Sequence, residues 1–406
     1  MIGMKLYEFQ ITNQWLRVMK NYIYRFLFAK EEIRFSKYLY KYRSKGLIAI
    51  NLYHAHFFEH IKDLVEEIEL KEEVVPLFVG HTKWPPKKHK KNTFYFLSSR
   101  YNLNYNENLF AYPWLKYSGV KIFIDLSFST YDIELECPKI LYAHGMAGLN
   151  FSKFLDQVRF IEKYSMLFLN GPIHKKALIS AQERYGGKLP PMYEVGYLRG
   201  DRLLRMAKSF DKKNFLKKIE LPKAPVILYA PTWGSFSSPV KWLDLIVEVC
   251  REIDVNLLIR FHPNMISETR TNFTVEMNWE EKLRTIEKEN PCAKVVFNQD
   301  IDDVMLSADV MITDVSGMAL EFMAIDKPVV FLESKKYFEL FGENRPEKWC
   351  RPTREVRTKS DLKKELQEAL DGNGFKYPSE ELMYNRGHSL EIMMELIESI
   401  IHKELG

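Results

Sequence analysis

Histidines with nearby small residues follow two short apolar runs of the sequence. His144 and Gly145 come directly after Ile140–Ala143, and His262 comes directly after Asn256–Phe261. An imidazole titrates near neutral pH, so His144 is a candidate general base and His262 could donate a hydrogen bond to a phosphate. Hydrogen bonding of His262 within its own loop is the structural alternative.

A candidate phosphate site lies where a strand is predicted to run into a helix. The apolar run Val310–Thr313 leads through the small residues Ser316 and Gly317 into the helical pattern Met318–Ile325. Free backbone N–H groups and the positive end of the helix dipole favour an anion at such a place. Glu321, one helical turn further, could accept hydrogen bonds from ribose hydroxyls. Ser316 could instead act only as the helix cap.

Thr232 and Trp233 follow a third apolar run, Val226–Tyr229. The Thr232 hydroxyl could bind phosphate, and Trp233 could stack on a nucleotide base or line the site. A turn supported by core packing of the tryptophan is the structural alternative.

One pair of histidines and one pair of aspartates resemble metal sites only superficially. His54 and His56 follow the first predicted strand, but no carboxylate or cysteine follows at a useful spacing, which favours an acceptor-side or packing role. Asp300 and Asp302 form an Asp-x-Asp pair just before a predicted helix, and this position favours N-capping over metal binding.

The apolar runs alternate with helical patterns in two series. The predicted strands are Gly46–Leu52, Val74–Val79, Lys121–Leu126, Ile140–Ala143 and Ser165–Leu169, then Val226–Tyr229, Asn256–Phe261, Ala293–Phe297, Val310–Thr313 and Val329–Leu332. This alternation predicts parallel sheets with right-handed crossovers, an α/β fold of two doubly wound domains facing a cleft. Ligands of such sheets bind beyond the carboxyl ends of the strands.

The predicted domain boundaries follow from this pattern and from charge. A basic amphipathic segment covers residues 1–45, a first Rossmann-like domain 46–207 and a second Rossmann-like domain 208–380, which begins with the charged stretch Lys208–Lys223. The last part, 381–406, belongs to a helix predicted over Ser379–Glu404 that packs back across the junction toward the N-terminal domain.

Composition excludes several classes of protein. The chain has 406 residues, 46% of them hydrophobic and 28% charged, which is typical of a folded protein of two domains. The four cysteines are far apart and form no Cys-x-x-Cys pair, which argues against a zinc ribbon and fits a reducing compartment. No apolar stretch is long enough for a membrane span and no signal peptide is evident, so we expect a cytoplasmic protein.

Positive charge is concentrated at the start of the chain. Residues 1–45 contain ten Lys or Arg and three Glu, whereas the formal net charge of the whole chain is only +5. An amphipathic helix with this charge and with aromatic residues fits an anionic membrane surface on the cytoplasmic face, or else packs on its own domain with a solvated basic face. A second basic run, 83–91, predicts an exposed loop. Neither region resembles a nucleic-acid reader, so no nucleic-acid partner is expected.

Five segments, in order, resemble the CDP-glycerol glycerophosphotransferase family of teichoic-acid-type primases and polymerases. They are Ala143–Gly145, Val195–Asp201, Leu228–Trp233, Ile259–Pro263 and Asp309–Leu332. The resemblance implies the GT-B fold and transfer of a glycerol-phosphate-type group from a CDP-alcohol. The acceptor would be a hydroxyl of a lipid-linked or glycan molecule in cell-surface polymer synthesis, and CMP would leave.

The resemblance also implies roles for single residues. His144 would take the proton of the acceptor hydroxyl, while His262 and the Ser316–Gly317 turn would hold the diphosphate. By the resemblance, Arg199 would also hold the diphosphate, and the acceptor would lie in domain 46–207 and the donor in domain 208–380. The residues themselves, apart from the resemblance, add Thr232, Trp233, Asp314 and Glu321 on the donor side and Gly145, His54 and His56 on the acceptor side. Protein donors would then replace a metal, so no metal ion or cofactor is expected.

The sequence departs from the family pattern at Gly317 and Glu321, which drift toward nucleotide-sugar enzymes of the same fold. A GT-B glycosyltransferase that uses a UDP-sugar for surface glycan synthesis is therefore the second hypothesis. A non-enzymatic scaffold that binds a surface polymer or an assembly partner is the third.

Overall fold

The computed structural model of the protein describes residues 36–37, 39–52, 57–80, 109–111, 119–126, 135–146, 161–266 and 277–405. Almost all of the basic segment 1–45, the basic run 83–91, and both His54 and His56 lie outside these residues. The chain forms two compact units. Unit 1 comprises residues 1–142, 163–166 and 394–406, and unit 2 comprises residues 143–162 and 167–393.

Unit 1 is built on parallel strands. Its elements are β1 (Gly46–Asn51), α1 (Phe58–Leu70), β2 (Val74–Gly80), β3 (Leu109–Ala111), β4 (Val120–Asp125) and β5 (Lys139–Leu141). The strands pair in the order β3-β2-β1-β4-β5. Helix α1 buries Ile61, Leu64, Val65 and Ile68, whose spacing of three or four residues places them on one face. An ion pair of 2.8 Å from Lys71 Nζ to Glu398 Oε1 follows this helix.

Unit 2 contains a parallel pair, β6 (Met166–Leu169, all but its first residue in this unit) with β7 (Met192–Glu194), and a second parallel sheet. The second sheet has the strands β8 (Val226–Tyr229), β9 (Asn256–Ile259), β10 (Ala293–Val295), β11 (Val310–Thr313) and β12 (Val329–Phe331) in the order β10-β9-β8-β11-β12. Its three interior strands, β9, β8 and β11, are buried along their whole length, as expected of strands covered on both faces.

The helices of unit 2 connect these strands and continue beyond them. They are α2 (Pro172–Tyr185), α3 (Leu198–Ala207), α4 (Lys212–Lys218), α5 (Pro239–Glu252), α6 (Pro263–Ile266), α7 (Trp279–Glu289), α8 (Ile301–Ser307), α9 (Met318–Ala324), α10 (Lys335–Phe341), α11 (Pro346–Trp349), α12 (Lys359–Leu370) and α13 (Ser379–Leu382). The last helix, α14 (Ser389–Leu405), begins in unit 2 and ends in unit 1. Among the described residues, no helix has the length and apolarity that crossing a bilayer requires.

The predicted α/β class with parallel sheets is confirmed, but one predicted helix is wrong. The structure divides Ser379–Glu404 into α13 and α14, because Asn385 and Gly387 adopt positive φ angles of 45° and 92° between them. The Asn385 side chain is held there, since its Nδ2 donates to the carbonyl of Val195 at 3.2 Å. The charged stretch Lys208–Lys223 contains the short helix α4, capped by Asp211. The predicted domain boundaries stay predictions.

Candidate functional site

The carboxyl ends of three adjacent strands of unit 2 carry most of the predicted donor-side residues. His262 follows β9, Thr232 and Trp233 follow β8, and Asp314 follows β11. Because these strands are parallel neighbours, their carboxyl ends meet at one edge of the sheet. The chain reverses its direction of winding between β8 and β11, which is where open α/β sheets form their ligand crevice.

Asp314 ties two of these strand ends together. Its carboxylate is buried: Oδ1 accepts from the Thr232 N–H at 2.6 Å, and Oδ2 accepts from the N–H and hydroxyl of Ser238, both at 2.8 Å. The Ser238 hydroxyl also lies 2.8 Å from the Tyr229 hydroxyl. Burial, and then the charge of Asp314, raise the pKa of Tyr229 well above its ordinary value, so the phenol stays protonated. Asp314 therefore fixes the turn that presents Thr232.

Trp233 and His262 lie side by side at this edge. Their ring centroids are 5.9 Å apart with an angle of 31° between the ring planes, the imidazole is exposed and the indole is half-buried. The indole offers a flat surface on which a nucleotide base can stack. The neighbouring imidazole can donate a hydrogen bond to a phosphate oxygen. The structure thus brings together these two predicted residues.

The Ser316–Gly317 turn begins α9, which has seven residues. The Met318 N–H lies 3.4 Å from Ser316 Oγ, a long hydrogen bond of the capping kind. Gly317 has φ of −60° and ψ of −24°, a conformation open to any residue, so backbone freedom does not explain the glycine at this place. Both residues are half-buried, beside Asp314.

Arg199 and Glu321 meet in a buried ion cluster and each contacts protein groups. Arg199 Nη1 donates to Glu321 Oε2 at 2.8 Å, and its Nη2 donates to Asp302 Oδ1 at 2.8 Å. Arg202 Nη2 donates to the other oxygen of Asp302 at 2.9 Å, and the Tyr197 hydroxyl donates to Glu321 Oε1 at 2.5 Å. All four charged side chains are at most 8% exposed.

The charges in this cluster stabilise one another. Burial alone lowers the pKa of Arg199, but the carboxylates of Glu321 and Asp302 outweigh burial, so the pKa is raised well above its ordinary value. For Asp302 burial acts to raise the pKa, and the two guanidinium groups reverse the effect, so the pKa is lowered. Protein groups satisfy both the Arg199 and the Glu321 side chain in this structure, and their expected direct contact with the donor stays a prediction.

The His144 turn (Ala143–Met146) belongs to unit 2 and is held by Asn170. Asn170 is fully buried just after β6, and its Nδ2 donates to the carbonyls of Gly145 at 2.9 Å and of Ala143 at 3.3 Å. These carbonyls flank His144, which is half-buried. Gly145 has a φ of 76°, a conformation that favours glycine. Sequence reasoning missed Asn170, whose signal is a polar residue directly after a predicted strand.

His174, in the first turn of α2, contacts the backbone of Asn170. Its Nδ1 accepts from the Asn170 N–H at 3.2 Å, and its ring is 2% exposed. Burial lowers the pKa of His174 to about 4. The imidazole is therefore neutral at pH 7 and acts as a hydrogen-bond acceptor.

We expect this histidine to make stability depend on pH. The folded protein protonates His174 only near pH 4, whereas the unfolded chain does so near 6.5, so stability falls as the pH is lowered through this window. The loss approaches about 3 kcal/mol. Urea unfolding at pH 7 and pH 4.5 measures it. His174→Gln should reduce the loss, whereas the exposed control His388→Gln should not; equal losses in all three proteins would contradict the assignment.

The segment Val195–Asp201, one of the five that carry the resemblance, serves the scaffold. A Cβ on Gly196, whose φ is 107°, would lie 2.2 Å from Ser389 Oγ, and one on Gly200 would lie 2.6 Å from Met383 Sδ. Asp201 accepts from the N–H groups of Gly387 at 2.6 Å and Ser389 at 2.7 Å. The glycines and the aspartate of the segment Val195–Asp201 are therefore explained by close packing and by capping the start of α14.

Of the acidic pair, Asp300 caps α8 as predicted, whereas Asp302 lies within the first turn of that helix. Asp300 Oδ1 accepts from the Asp302 N–H at 2.9 Å, and Asp302 faces the two arginines. Among the described residues, no three His, Cys, Asp or Glu side chains are grouped as a metal site.

A family model described as CDP-glycerol:poly(glycerophosphate) glycerophosphotransferase matches residues 167–388. The match covers more than half of the chain and includes the strand ends of β8, β9 and β11. The chain belongs to this family. The family predicted from the five segments is therefore confirmed, whereas the individual roles of its residues stay proposals.

Part of the chain is also similar to a curated protein of known name. The chain is 24% identical over 198 residues to the teichoic acid glycerol-phosphate primase of Bacillus subtilis (strain 168). The aligned region covers 47% of this chain and 48% of that protein. The chain thus spans about half the length of the curated relative that it matches.

Solved structures share the fold. A point variant of the wall teichoic acid polymerase TagF superimposes with a TM-score of 0.58 at 16% identity, covering 96% of this chain and 98% of that one. TagF soaked with CDPG gives the same TM-score at 18% identity and the same coverage. The UDP-GlcNAc 2-epimerase from Neisseria meningitidis gives 0.55 at 12% identity, covering 87% and 100%. These likenesses confirm the predicted fold class and, at such low identity, nothing finer.

Proposed function

We propose that the protein transfers a glycerol-phosphate group from CDP-glycerol to a hydroxyl of a lipid-linked or glycan acceptor in teichoic acid synthesis. The observation that carries this proposal is the family match over residues 167–388, which contains the Trp233–His262 pair and the Ser316–Gly317 turn at one sheet edge. Contact with an anionic membrane surface and a cytoplasmic location, both predicted from the sequence, belong to the same proposal.

The reaction is a phosphoryl transfer. The acceptor hydroxyl oxygen forms a new bond to the phosphorus of the glycerol phosphate, and the bond from that phosphorus to the CMP oxygen breaks, with the electron pair leaving on CMP. His144 takes the proton of the hydroxyl. Such chemistry depends mostly on positioning and on charge stabilisation. His262 and the N–H groups of Ser316 and Gly317 stabilise the phosphate charge, while Trp233 stacks on the cytosine.

The buried polar residues act behind these groups. Asp314 fixes the backbone of Thr232, so the turn has its final shape before substrate arrives. The cluster of Arg199, Asp302 and Glu321 joins α3 to α8 and α9 and so positions the Ser316–Gly317 turn. Preorganisation of this kind reduces the free-energy cost of arranging the site during the reaction.

Donor identity is tested by nucleotide binding and by CMP release. The purified protein is titrated with CDP-glycerol and UDP-GlcNAc, and its melting temperature is recorded. A donor at 100 times its Kd adds about 2.7 kcal/mol to apparent stability, so CDP-glycerol should raise the melting temperature and UDP-GlcNAc should not. Chromatography should then show CMP release that requires both CDP-glycerol and a glycerol-phosphate primer.

The glycosyltransferase hypothesis gives the opposite result in the same titration. A melting temperature that responds to UDP-GlcNAc alone would overturn the proposed donor. Of the two residues that suggested a nucleotide sugar, Glu321 is now explained by its contacts with Tyr197 and Arg199, which leaves Gly317.

A further inference from the structure

A groove of about 550 Å³ lies along α2. Its other wall is formed by α11 and the segment around Tyr384. Its volume is in the range of ligand sites in proteins. A hydrogen bond from Asn344 Nδ2 to Ser180 Oγ, 2.9 Å long, crosses one part of it. None of the predicted site residues lines this groove.

The groove adjoins the His144 turn through Asn170. The backbone N–H of Tyr384, a lining residue, donates to the Asn170 carbonyl at 2.9 Å, and Pro172, another lining residue, follows Asn170 by two positions. The Asn170 side chain in turn donates to the Gly145 carbonyl. Two hydrogen bonds, both made by Asn170, therefore join the wall of the groove to the turn that carries His144.

The lining combines ammonium groups with aromatic rings. Lys176 is exposed, its Nζ lies 4.5 Å from the centroid of the Trp349 ring, and no carboxylate of the described residues lies within ion-pair distance of it. Lys175 pairs with Glu194 at 3.0 Å, and Glu183 is the carboxylate in the lining. An unpaired ammonium attracts a phosphodiester, and half-buried rings pack against the C–H groups of a polyol.

The Tyr384 hydroxyl hydrogen-bonds to Glu194, so this residue offers its ring to a ligand in the groove. Burial, followed by the charge of Glu194, raises the pKa of Tyr384 to about 12. The phenol is therefore protonated throughout the physiological range, and its ring is half-buried beside the groove.

We propose that this groove binds the acceptor as an anionic chain of polyol units joined by phosphodiesters, with its terminal hydroxyl toward His144. The inference rests on the proposed function, which supplies a glycerol-phosphate acceptor, and it adds the place where that acceptor lies. The donor occupies a different set of residues, the carboxyl ends of β8, β9 and β11. A chain with one charge per unit matches Lys176, and its carbon backbone matches Trp349 and Tyr384.

The test is calorimetric binding of a synthetic glycerol-phosphate hexamer to the full chain. Lys176→Glu should weaken the Kd about tenfold, the effect of losing one charged contact. The matched control is Lys241→Glu, because Lys241 is also an exposed lysine over a tryptophan, 4.8 Å from the Trp242 ring, but lies outside the groove. The control should bind like the wild type, and raising the salt concentration should weaken wild-type binding.

The outcomes separate this proposal from the proposed function. Equal hexamer affinity in the wild type and Lys176→Glu overturns the groove, even if CMP release from CDP-glycerol is normal. Displacement of the hexamer by CDP-glycerol, with the donor also weakened in Lys176→Glu, overturns it too, because the groove would then be a donor site. Selective loss of hexamer binding in Lys176→Glu supports it, even if CDP-glycerol is never turned over, a result that sinks only the proposed donor chemistry.

Discussion

Replacing His144 or His262 by alanine should lower CMP release from CDP-glycerol at least a hundredfold, the usual scale for a group that moves a proton or stabilises a phosphate. His144 lies in a turn whose two flanking carbonyls are held by Asn170, so hydrogen bonds outside the imidazole hold the backbone of this turn. His262 is exposed. We therefore expect both variants to fold, with melting temperatures close to that of the wild type.

The two histidines should differ in the step that they affect. His262→Ala removes a contact with the diphosphate and should weaken CDP-glycerol binding, whereas His144→Ala should leave donor binding unchanged and lower turnover alone. His388→Ala is the control, since His388 is an exposed histidine beside Glu391 at the start of α14. Near-normal CMP release by both His144→Ala and His262→Ala would remove the proposed catalytic assignment.

Asp302→Ala should destabilise the protein by about 3–5 kcal/mol, because it leaves the guanidinium groups of Arg199 and Arg202 buried without their shared carboxylate. Urea unfolding followed by circular dichroism measures this loss. Asp244→Ala is the matched control: Asp244 forms an ion pair of 2.6 Å with Lys282, but its side chain is 71% exposed. Its removal should hardly move the unfolding midpoint.

The cluster of Arg199, Arg202, Asp302 and Glu321 should also make the stability of the protein depend on pH in the acid range. Since the pKa of Asp302 is lowered in the folded protein, the stability it contributes is present above its unfolded pKa near 4 and is lost as the pH falls below that value. Asp302→Ala should lack this part of the acid dependence. Equal unfolding midpoints for the wild type and Asp302→Ala at pH 7 would show that the cluster does not stabilise the fold.

The strands could be predicted because their apolar runs are short and sharply bounded. The predicted β8 and β11 agree with the structure residue for residue, and so the strand ends that carry Thr232 and Asp314 were located correctly. The roles of charged residues could not be predicted in this way. Arg199 and Glu321 are 122 positions apart, and nothing local in the sequence shows that each satisfies the other.

Other differences have local causes. The apolar pattern of Ser379–Glu404 continues across the break at Asn385 and Gly387, and only the glycine and asparagine themselves signal it. Asn170 is a single polar residue whose importance depends on two carbonyls 25 and 27 positions earlier in the chain. His54 and His56 lie outside the described residues, so their acceptor-side role stays a prediction.

The packing of Gly196, Gly200 and Asp201 against the segment 383–389 has a consequence for biosynthesis. Asp201 and its partner Ser389 are separated by 188 residues, so the ribosome makes the carboxylate long before the N–H group that it will cap. Until the segment 383–389 has been made, Gly196, Gly200 and Asp201 lack their packing partners, although domains generally begin to fold as they emerge. Slow translation of the codons between positions 201 and 389 should therefore prolong the interval in which the nascent polypeptide depends on chaperones.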